Sequence, residues 1–487
     1  MGVCYGPAWY SGQISSSVAK RLQLRCQYSE IQLVYKTRVF LFSLFHRNLF
    51  TRTVMEQEPR PAKKPMHWKV PVSKTAENTF NPIRNVVDTM VLEPNPDMEV
   101  IRLTIGDPTI FGNLPPSEKS VEAFCNAVRS GKDNGYQPAH GNVKARNAVA
   151  KYCSTPDYTV DSEDVILASG CSGAIELAID VLADSGDNIL VPRPGFSLYK
   201  CLCGSKGVET RLYGLIPEKF WEADLEEMVS LIDERTKMIV VINPSNPCGS
   251  VYTKEHLEAI LDVAERYQIP ILCDEVYAYV TFGEREFYSM GALTKNVPVL
   301  AVGGTAKRFL VPGWRMGWVV VHDRKEIFGK EIAAGLRRLS QRVLGPSSAL
   351  QGALPVILSE CKPEFFEKTL SLMKKTSGVF YEKLSAIPEL YPVKSFGAMY
   401  MLIGVKVEQL HGINNDVEFT QILMSEQSVF VLPAKCFEYP NFIRVVLTVP
   451  EKIVIEACER IAQFCKDHRM DKNGLTNGEM NGHEVEK

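Results

Sequence analysis

Val297-Pro298-Val299-Leu300-Ala301-Val302-Gly303-Gly304-Thr305-Ala306-Lys307-Arg308-Phe309-Leu310-Val311-Pro312-Gly313-Trp314-Arg315 is the stretch that decides the fold. Its first six residues form an apolar run of the length and composition of a strand buried on both faces. Lys307 stands just past that run, among glycines, with Arg315 eight residues on. An amine in such a place is partly desolvated, which disfavours its ammonium form and makes it nucleophilic enough to form Schiff bases near neutral pH. Arg315 leaves a Pro-Gly bend and can clamp a phosphate with two parallel N–H groups. Taken alone, the segment also suits a surface Lys-Arg pair following a strand.

Working outward, the same alternation recurs from about residue 160 to 325. Further short β-rich runs are Val165-Leu167, Asn188-Val191, Met238-Ile242, Pro270-Cys273 and Trp318-Val321. Helix-like stretches lie between them: Ser172 to Leu182, and Thr253 to Tyr267 with a threonine cap. Alternating β and α predicts an α/β fold, with a mainly parallel sheet flanked by helices. Ligand chemistry then belongs at the carboxyl ends of the strands. Gly170-Cys171-Ser172, Pro192 to Phe196, Asn243 to Gly249, Asp274 to Tyr277 and Gly303 to Lys307 all fall there.

The remaining chain divides by composition. From about Gly345 to Cys465 the pattern changes to long helices with few strands, which predicts a smaller α+β domain. The expected organisation is an extension over 1–68, a segment over 69–119 packing with the small domain, a large domain over 120–345, the small domain over 346–466 and a disordered tail over 467–487. The first 53 residues hold seven Lys/Arg and a single acid, Glu30. That resembles a mitochondrial transit peptide. No amphipathic helix emerges, however, so the expectation is a disordered extension, with Met55 an alternative start and a cytoplasmic protein. A net charge of −2 drives the chain toward neither nucleic acid nor an anionic membrane. No apolar stretch reaches the length of a membrane span. Thirteen scattered cysteines without a CxxC pair or zinc spacing predict reduced thiols and no metal site.

Three turns carry chemistry. In Ser169-Gly170-Cys171-Ser172-Gly173 a strand passes through a glycine turn into a helix, whose free N–H groups and the Ser172 hydroxyl can hold a phosphate. Any βα turn has some of this character, and Cys171 has no histidine nearby to activate it. Asn243-Pro244-Ser245-Asn246-Pro247 is a rigid turn that fixes the Asn246 amide. Asp274, directly after a buried strand, needs a positive partner, which a protonated pyridine nitrogen would supply. Tyr277 lies three residues on, within reach of a ring hydroxyl.

The order of these parts resembles the fold-type-I pyridoxal-phosphate aminotransferases. Longer segments resemble the tyrosine aminotransferases within that family: Ile105-Gly106-Asp107-Pro108-Thr109, Pro192 to Tyr199, Asn243 to Val251, Val311 to Arg315, Gly397 to Tyr400 and Cys436 to Arg444. The likeness runs from about Lys69 to Cys465.

The resemblance implies pyridoxal 5′-phosphate as cofactor, with Lys307 carrying it and moving the substrate's α-proton. It implies that Asp274 pairs with the pyridine nitrogen, that Asn246 and Tyr277 bond the ring oxygen, and that Phe196 stacks on the ring. Arg315 with the amides of Cys171 and Ser172 would hold the phosphate. Arg444, helped by Gly106 and Asn246, would take the substrate carboxylate. Tyr136 would reach the phosphate in a neighbouring subunit, which makes the expected assembly a homodimer with tyrosine and 2-oxoglutarate as substrates. Many relatives carry serines one and three residues before the lysine; here Ala306 and Gly304 stand there. Arg342 is the candidate counter-charge for an acidic side chain. Another aminotransferase, a lyase on the same scaffold and a non-catalytic sensor module are the alternatives.

Overall fold

The computed structural model describes residues 68 and 70–470, and its main compact unit begins at Val72. The extension expected over 1–68 lies outside the described residues apart from Trp68, as does the tail beyond 470.

Eight strands form the large sheet: β1 Val165–Ser169, β2 Asn188–Arg193, β3 Glu209–Ile216, β4 Glu222–Ala223, β5 Thr236–Ile242, β6 Ile271–Asp274, β7 Val299–Gly304 and β8 Met316–His322. Their spatial order is β1-β8-β7-β6-β5-β2-β3-β4. From β7 to β3 the strands run parallel, while β8 is antiparallel to both of its neighbours and β4 to β3. The sheet is therefore mainly parallel as expected, with only β8 and β4 running against the other six strands. A parallel return needs a crossover of about a dozen or more residues, usually a helix. Residues 305–315 supply only loop and the 3₁₀ turn Pro312–Trp314, so the chain turns straight back into β8.

Register brings the chemistry to one edge. Asp274 lies beside Ile242 on one side and Val302 on the other, and Gly304 lies beside Gly317. Ser169, at the end of β1, pairs with Met316 at the start of β8. The carboxyl ends of β1, β5, β6 and β7 thus meet the amino end of β8 along a single rim.

Continuous apolar strands explain the core. Every residue of β6, β7 and β8 is buried, with helices on the two faces contributing Ile175, Ile179 and Leu336 on one and Leu257, Ile260 and Val263 on the other. The helix Lys254–Tyr267 starts as its sequence predicts, with the Thr253 side chain accepting from the His256 N–H at 3.1 Å. A second sheet holds β9 Leu390–Pro392, β10 Tyr400–Val405, β11 Leu432–Pro433 and β12 Phe442–Val446 in the order β9-β10-β12-β11. The strand Ile101–Arg102 pairs with Val429–Phe430, and Leu103 and Leu114 share a core cluster with Met373, Phe380 and Ile443. That pairing carries residues 104–107 to the rim of the large sheet.

Candidate active site

A cleft of about 600 Å³ opens at this rim, lined from the large sheet by Cys171, Ser172, Phe196, Asn246, Asp274, Tyr277, Lys307 and Arg315, from the N-terminal segment by Gly106 and from the second sheet by Arg444. One end of it is built for an anion. The helix Gly170–Leu182 starts there, and Ser169 gives its first N–H groups no side-chain cap. Gly170 has φ 71°, and a Cβ on it would stand 2.4 Å from the Arg315 Nη2, so glycine is what lets the guanidinium lie over the helix start. Arg315 Nη1 donates to the Pro312 carbonyl at 3.1 Å, which aims the rest of the fork. Helix N–H groups, the exposed Ser172 hydroxyl and a guanidinium together suit a phosphate dianion.

Deeper in the cleft the requirement reverses. Asp274 is 2% exposed. It accepts from the Tyr199 hydroxyl at 3.1 Å and the Val276 N–H at 3.1 Å, with the Cys171 thiol at 3.8 Å. Burial pushes its carboxyl up to about 6, against these hydrogen bonds and the nearby Lys307 charge. Glu275 turns the other way, accepting from the Met290 N–H at 2.9 Å and Ser289 Oγ at 3.1 Å. Burial and then the Asp274 charge hold the Cys171 thiol far above its ordinary value, which makes it inert as a nucleophile. A carboxylate so enclosed and without a cationic hydrogen-bond partner suits a protonated ring nitrogen.

Lys307 Nζ donates to the Gly106 carbonyl at 2.6 Å and stands 5.8 Å from the centre of the Tyr277 ring. The Tyr277 and Tyr400 hydroxyls are 2.8 Å apart. Arg444 is 4% exposed, its Nη1 donating to Asn246 Oδ1 at 2.9 Å and its Nη2 to the Thr104 carbonyl at 2.6 Å. Its Nε is buried without a partner, and the guanidinium lines the cleft, where a substrate carboxylate would add acceptors. Burial lowers the guanidinium pKa, with the Tyr400 and Tyr277 phenols acting in the opposite sense. The peptide bonds 243–244 and 246–247 are both cis, in the turn that presents Asn246.

Two candidates stand elsewhere. Tyr136 is 93% exposed and does not line the cleft. Arg342 is engaged with Asp180 at 2.5 Å and Glu176 at 3.3 Å, outside the cleft, so it does not serve as counter-charge for a substrate. Arg84 and Arg102 line the cleft instead, beside Ile83, Val87, Phe430 and Leu432. In the lysine loop the remaining hydroxyl, Thr305, is fully buried and does not line the cleft, so the phosphate end rests on Arg315 and the helix start. Sequence reading misses Tyr199, whose hydroxyl reaches Asp274 from 75 residues away, and assigns no role to Tyr400.

The profile of the family described as Aminotransferase class I and II matches residues 98–461. The tyrosine aminotransferase of Mus musculus is 54% identical over 401 residues, 82% of this chain and 88% of that protein. That of Dictyostelium discoideum is 47% identical over 406 residues, 82% of this chain and 97% of its own. Among solved structures, the tyrosine aminotransferase of Leishmania infantum superposes with a TM-score of 0.79 at 35% identity, covering 83% of this chain and all of the other. Since the family match spans both sheets and every strand that borders the cleft, the chain belongs to the class I and II aminotransferases.

Proposed function

We propose that this chain is an L-tyrosine:2-oxoglutarate aminotransferase that uses pyridoxal 5′-phosphate and works as a homodimer. The observation that carries the reading is the placement of Lys307 and Arg444 in one cleft, the first with its amine held at the Gly106 carbonyl and the second with a buried Nε to spare. Tyrosine aminotransferases at 47–54% identity support the substrate pair.

The residues fit the cofactor part by part. Arg315 and the helix start would hold its phosphate, Asp274 would pair with its ring nitrogen, and Tyr277 with Asn246 would serve its ring oxygen. When bound, the cofactor supplies a carbonyl for the substrate amine and a conjugated ring that accepts the electron pair left behind by the α-proton. Asp274 keeps the ring nitrogen protonated, which makes that acceptance strong. Arg444 fixes the α-carboxylate by its planar fork, and so fixes the α-carbon relative to the Lys307 amine. Lys307 Nζ would take the proton from the substrate α-carbon and act as the acid that gives it back, while the Gly106 carbonyl steers the amine. Apolar Ile83, Val87 and Leu432 beside Arg84 and Arg102 give the cleft a wall for an aromatic ring and a charge for a second carboxylate. The exposed position of Tyr136 suits a side chain that completes the partner's site. The free cysteines among the described residues suit a reducing setting.

The test is an absorbance scan of purified protein with tyrosine and 2-oxoglutarate added in turn. The reading requires the visible band to disappear with tyrosine and return with 2-oxoglutarate; no response to tyrosine overturns it.

Arg444 gives a sharper prediction. Lysine cannot reproduce a bidentate fork, so Arg444→Lys lowers kcat/KM for tyrosine by roughly 100-fold or more, the scale of losing charge-assisted hydrogen bonds in a closed site. Tyramine, which lacks the carboxylate, reacts poorly with both proteins and is nearly indifferent to the change. An equal proportional loss for tyrosine and tyramine would remove Arg444 from carboxylate binding.

A further inference from the structure

Tyr400 opens β10 in the second sheet, and nothing in the chemistry above uses it. Its hydroxyl is nevertheless the meeting point of the catalytic parts. It lies 2.8 Å from the Tyr277 hydroxyl, with the two rings edge to face at 5.9 Å between centres. The Arg444 guanidinium carbon sits 4.2 Å from the centre of the Tyr400 ring. Gly106, whose carbonyl holds Lys307, packs so closely on the phenol that a Cβ would fall 2.1 Å from its oxygen. Tyr400 is 2% exposed and lines the cleft.

A hydroxyl has one proton to donate, and in a pair of hydroxyls one must give and the other receive. We infer that Tyr400 is a positioning residue, donating its hydrogen bond to the Tyr277 oxygen and so leaving the Tyr277 proton free to point at the ring oxygen of the cofactor. This rests on the pyridoxal phosphate reading. The direction of donation follows from what each hydroxyl must serve: with the single Tyr277 proton given to the ring oxygen, the 2.8 Å bond between the phenols is made by the Tyr400 proton. Tyr400 faces Lys307 and Arg444, and burial that would raise its pKa is outweighed by these two cations and the Tyr277 hydrogen bond, despite Asp107. Tyr277 is raised well above the ordinary value by burial and by the Tyr400 phenol, with Arg444 opposing and Asp274 adding to the rise. Lys307 and Arg444 beside Tyr400 favour negative charge on its oxygen and so polarise its O–H toward the Tyr277 oxygen. A phenol that receives one hydrogen bond is polarised into a stronger donor for the next. Through Tyr277, Tyr400 stabilises negative charge on the ring oxygen and lowers the basicity of the nitrogen linking the cofactor to Lys307.

The measurement is the pH midpoint of the visible absorption band in the cofactor-loaded protein, for wild type, Tyr400→Phe, Tyr277→Phe and the double variant. Phenylalanine keeps the edge-to-face packing and removes only the hydroxyl. The midpoint of Tyr400→Phe rises by about half a pH unit. Tyr277→Phe raises it further, and the double variant matches Tyr277→Phe alone, because Tyr400 acts only through Tyr277. An unchanged midpoint in Tyr400→Phe overturns the inference, as does an equal Tyr400→Phe shift in the Tyr277→Phe background. A wild-type protein without any titrating visible band would overturn the cofactor reading and the inference together.

Discussion

Lys307→Ala is expected to lower turnover of tyrosine by on the order of 10⁵-fold, because one side chain supplies both the covalent attachment and the proton-transfer group. The rest of the site survives the change. Arg315 still lies over the helix start, and Asp274 keeps its bonds from Tyr199 and Val276, so neither end of the cofactor cradle depends on the amine. The variant therefore retains cofactor through dialysis better than one that also lacks Arg315, while its turnover is lost. Adding a small primary amine should restore part of the proton transfer, since the cleft keeps the space that the lysine side chain filled. The measurement is kcat for the tyrosine half-reaction with and without the added amine. A Lys307→Ala protein with a tenth of wild-type activity would remove the lysine from the mechanism.

Asp274→Asn is expected to act in opposite directions on catalysis and on stability. Without the carboxylate the ring nitrogen loses its counter-charge, and the loss of transition-state stabilisation is about 3–4 kcal/mol, the scale of losing a main electrostatic group. The cofactor-free protein, in contrast, is made more stable. Burial raises the folded-state carboxyl from 3.8 to about 6, so the folded protein binds this proton more tightly than the unfolded chain does. For such a group the favourable contribution is present below the unfolded value and is lost as pH rises through the folded value. Above about pH 6 the folded apoprotein carries an enclosed charge costing on the order of 3 kcal/mol, which asparagine removes. The asparagine protein should unfold at higher denaturant than wild type near neutral pH, and the gap should close on acidification toward pH 4. Glu275 is similarly raised to about 7, first by burial and in smaller part by the Asp274 charge, so removing that charge relieves Glu275 as well and works in the same direction. Equal apoprotein stabilities at neutral pH would mean that the carboxylate already has its partner.

What the sequence reveals of this molecule follows from burial. β6 and β7 are legible as apolar runs because every residue in them is enclosed. β3 escapes notice because its first half, Glu209-Thr210-Arg211, is polar and partly exposed near the sheet edge. The reversed direction of β8 is invisible in its own residues, since Val319, Val320 and Val321 would be buried either way up. Only the short connection before it determines the direction. Within the site, Lys307, Asp274, Asn246, Tyr277 and Arg315 stand at strand ends or in the turns that follow, where local sequence says what they can reach. Arg444 is different, a guanidinium inside an apolar strand of the second sheet whose role came only from likeness to a family. Tyr199 and Tyr400 sit among ordinary core aromatics, and their importance exists only in the distances 3.1 Å and 2.8 Å that folding creates. Arg342 shows the converse. Asp180 and Glu176 lie on one face of a helix more than 160 positions earlier, and they claim a side chain that composition alone offers to the substrate.

The reversal at β8 has a bearing on how much this site can vary in chain length. Gly304 and Gly317 are locked side by side, and the Thr305 N–H bonds the Met316 carbonyl at 3.1 Å, so the loop between them is pinned at both ends. Lys307 and Arg315 both hang from this closed loop. A residue inserted before Lys307 or between it and Arg315 would leave the sheet paired yet change the span separating amine from guanidinium, a span that must match one rigid molecule reaching from aldehyde to phosphate. The sheet thus acts as a ruler of fixed gauge, and over residues 305–315 the length of the chain is as constrained as the identities of Lys307 and Arg315.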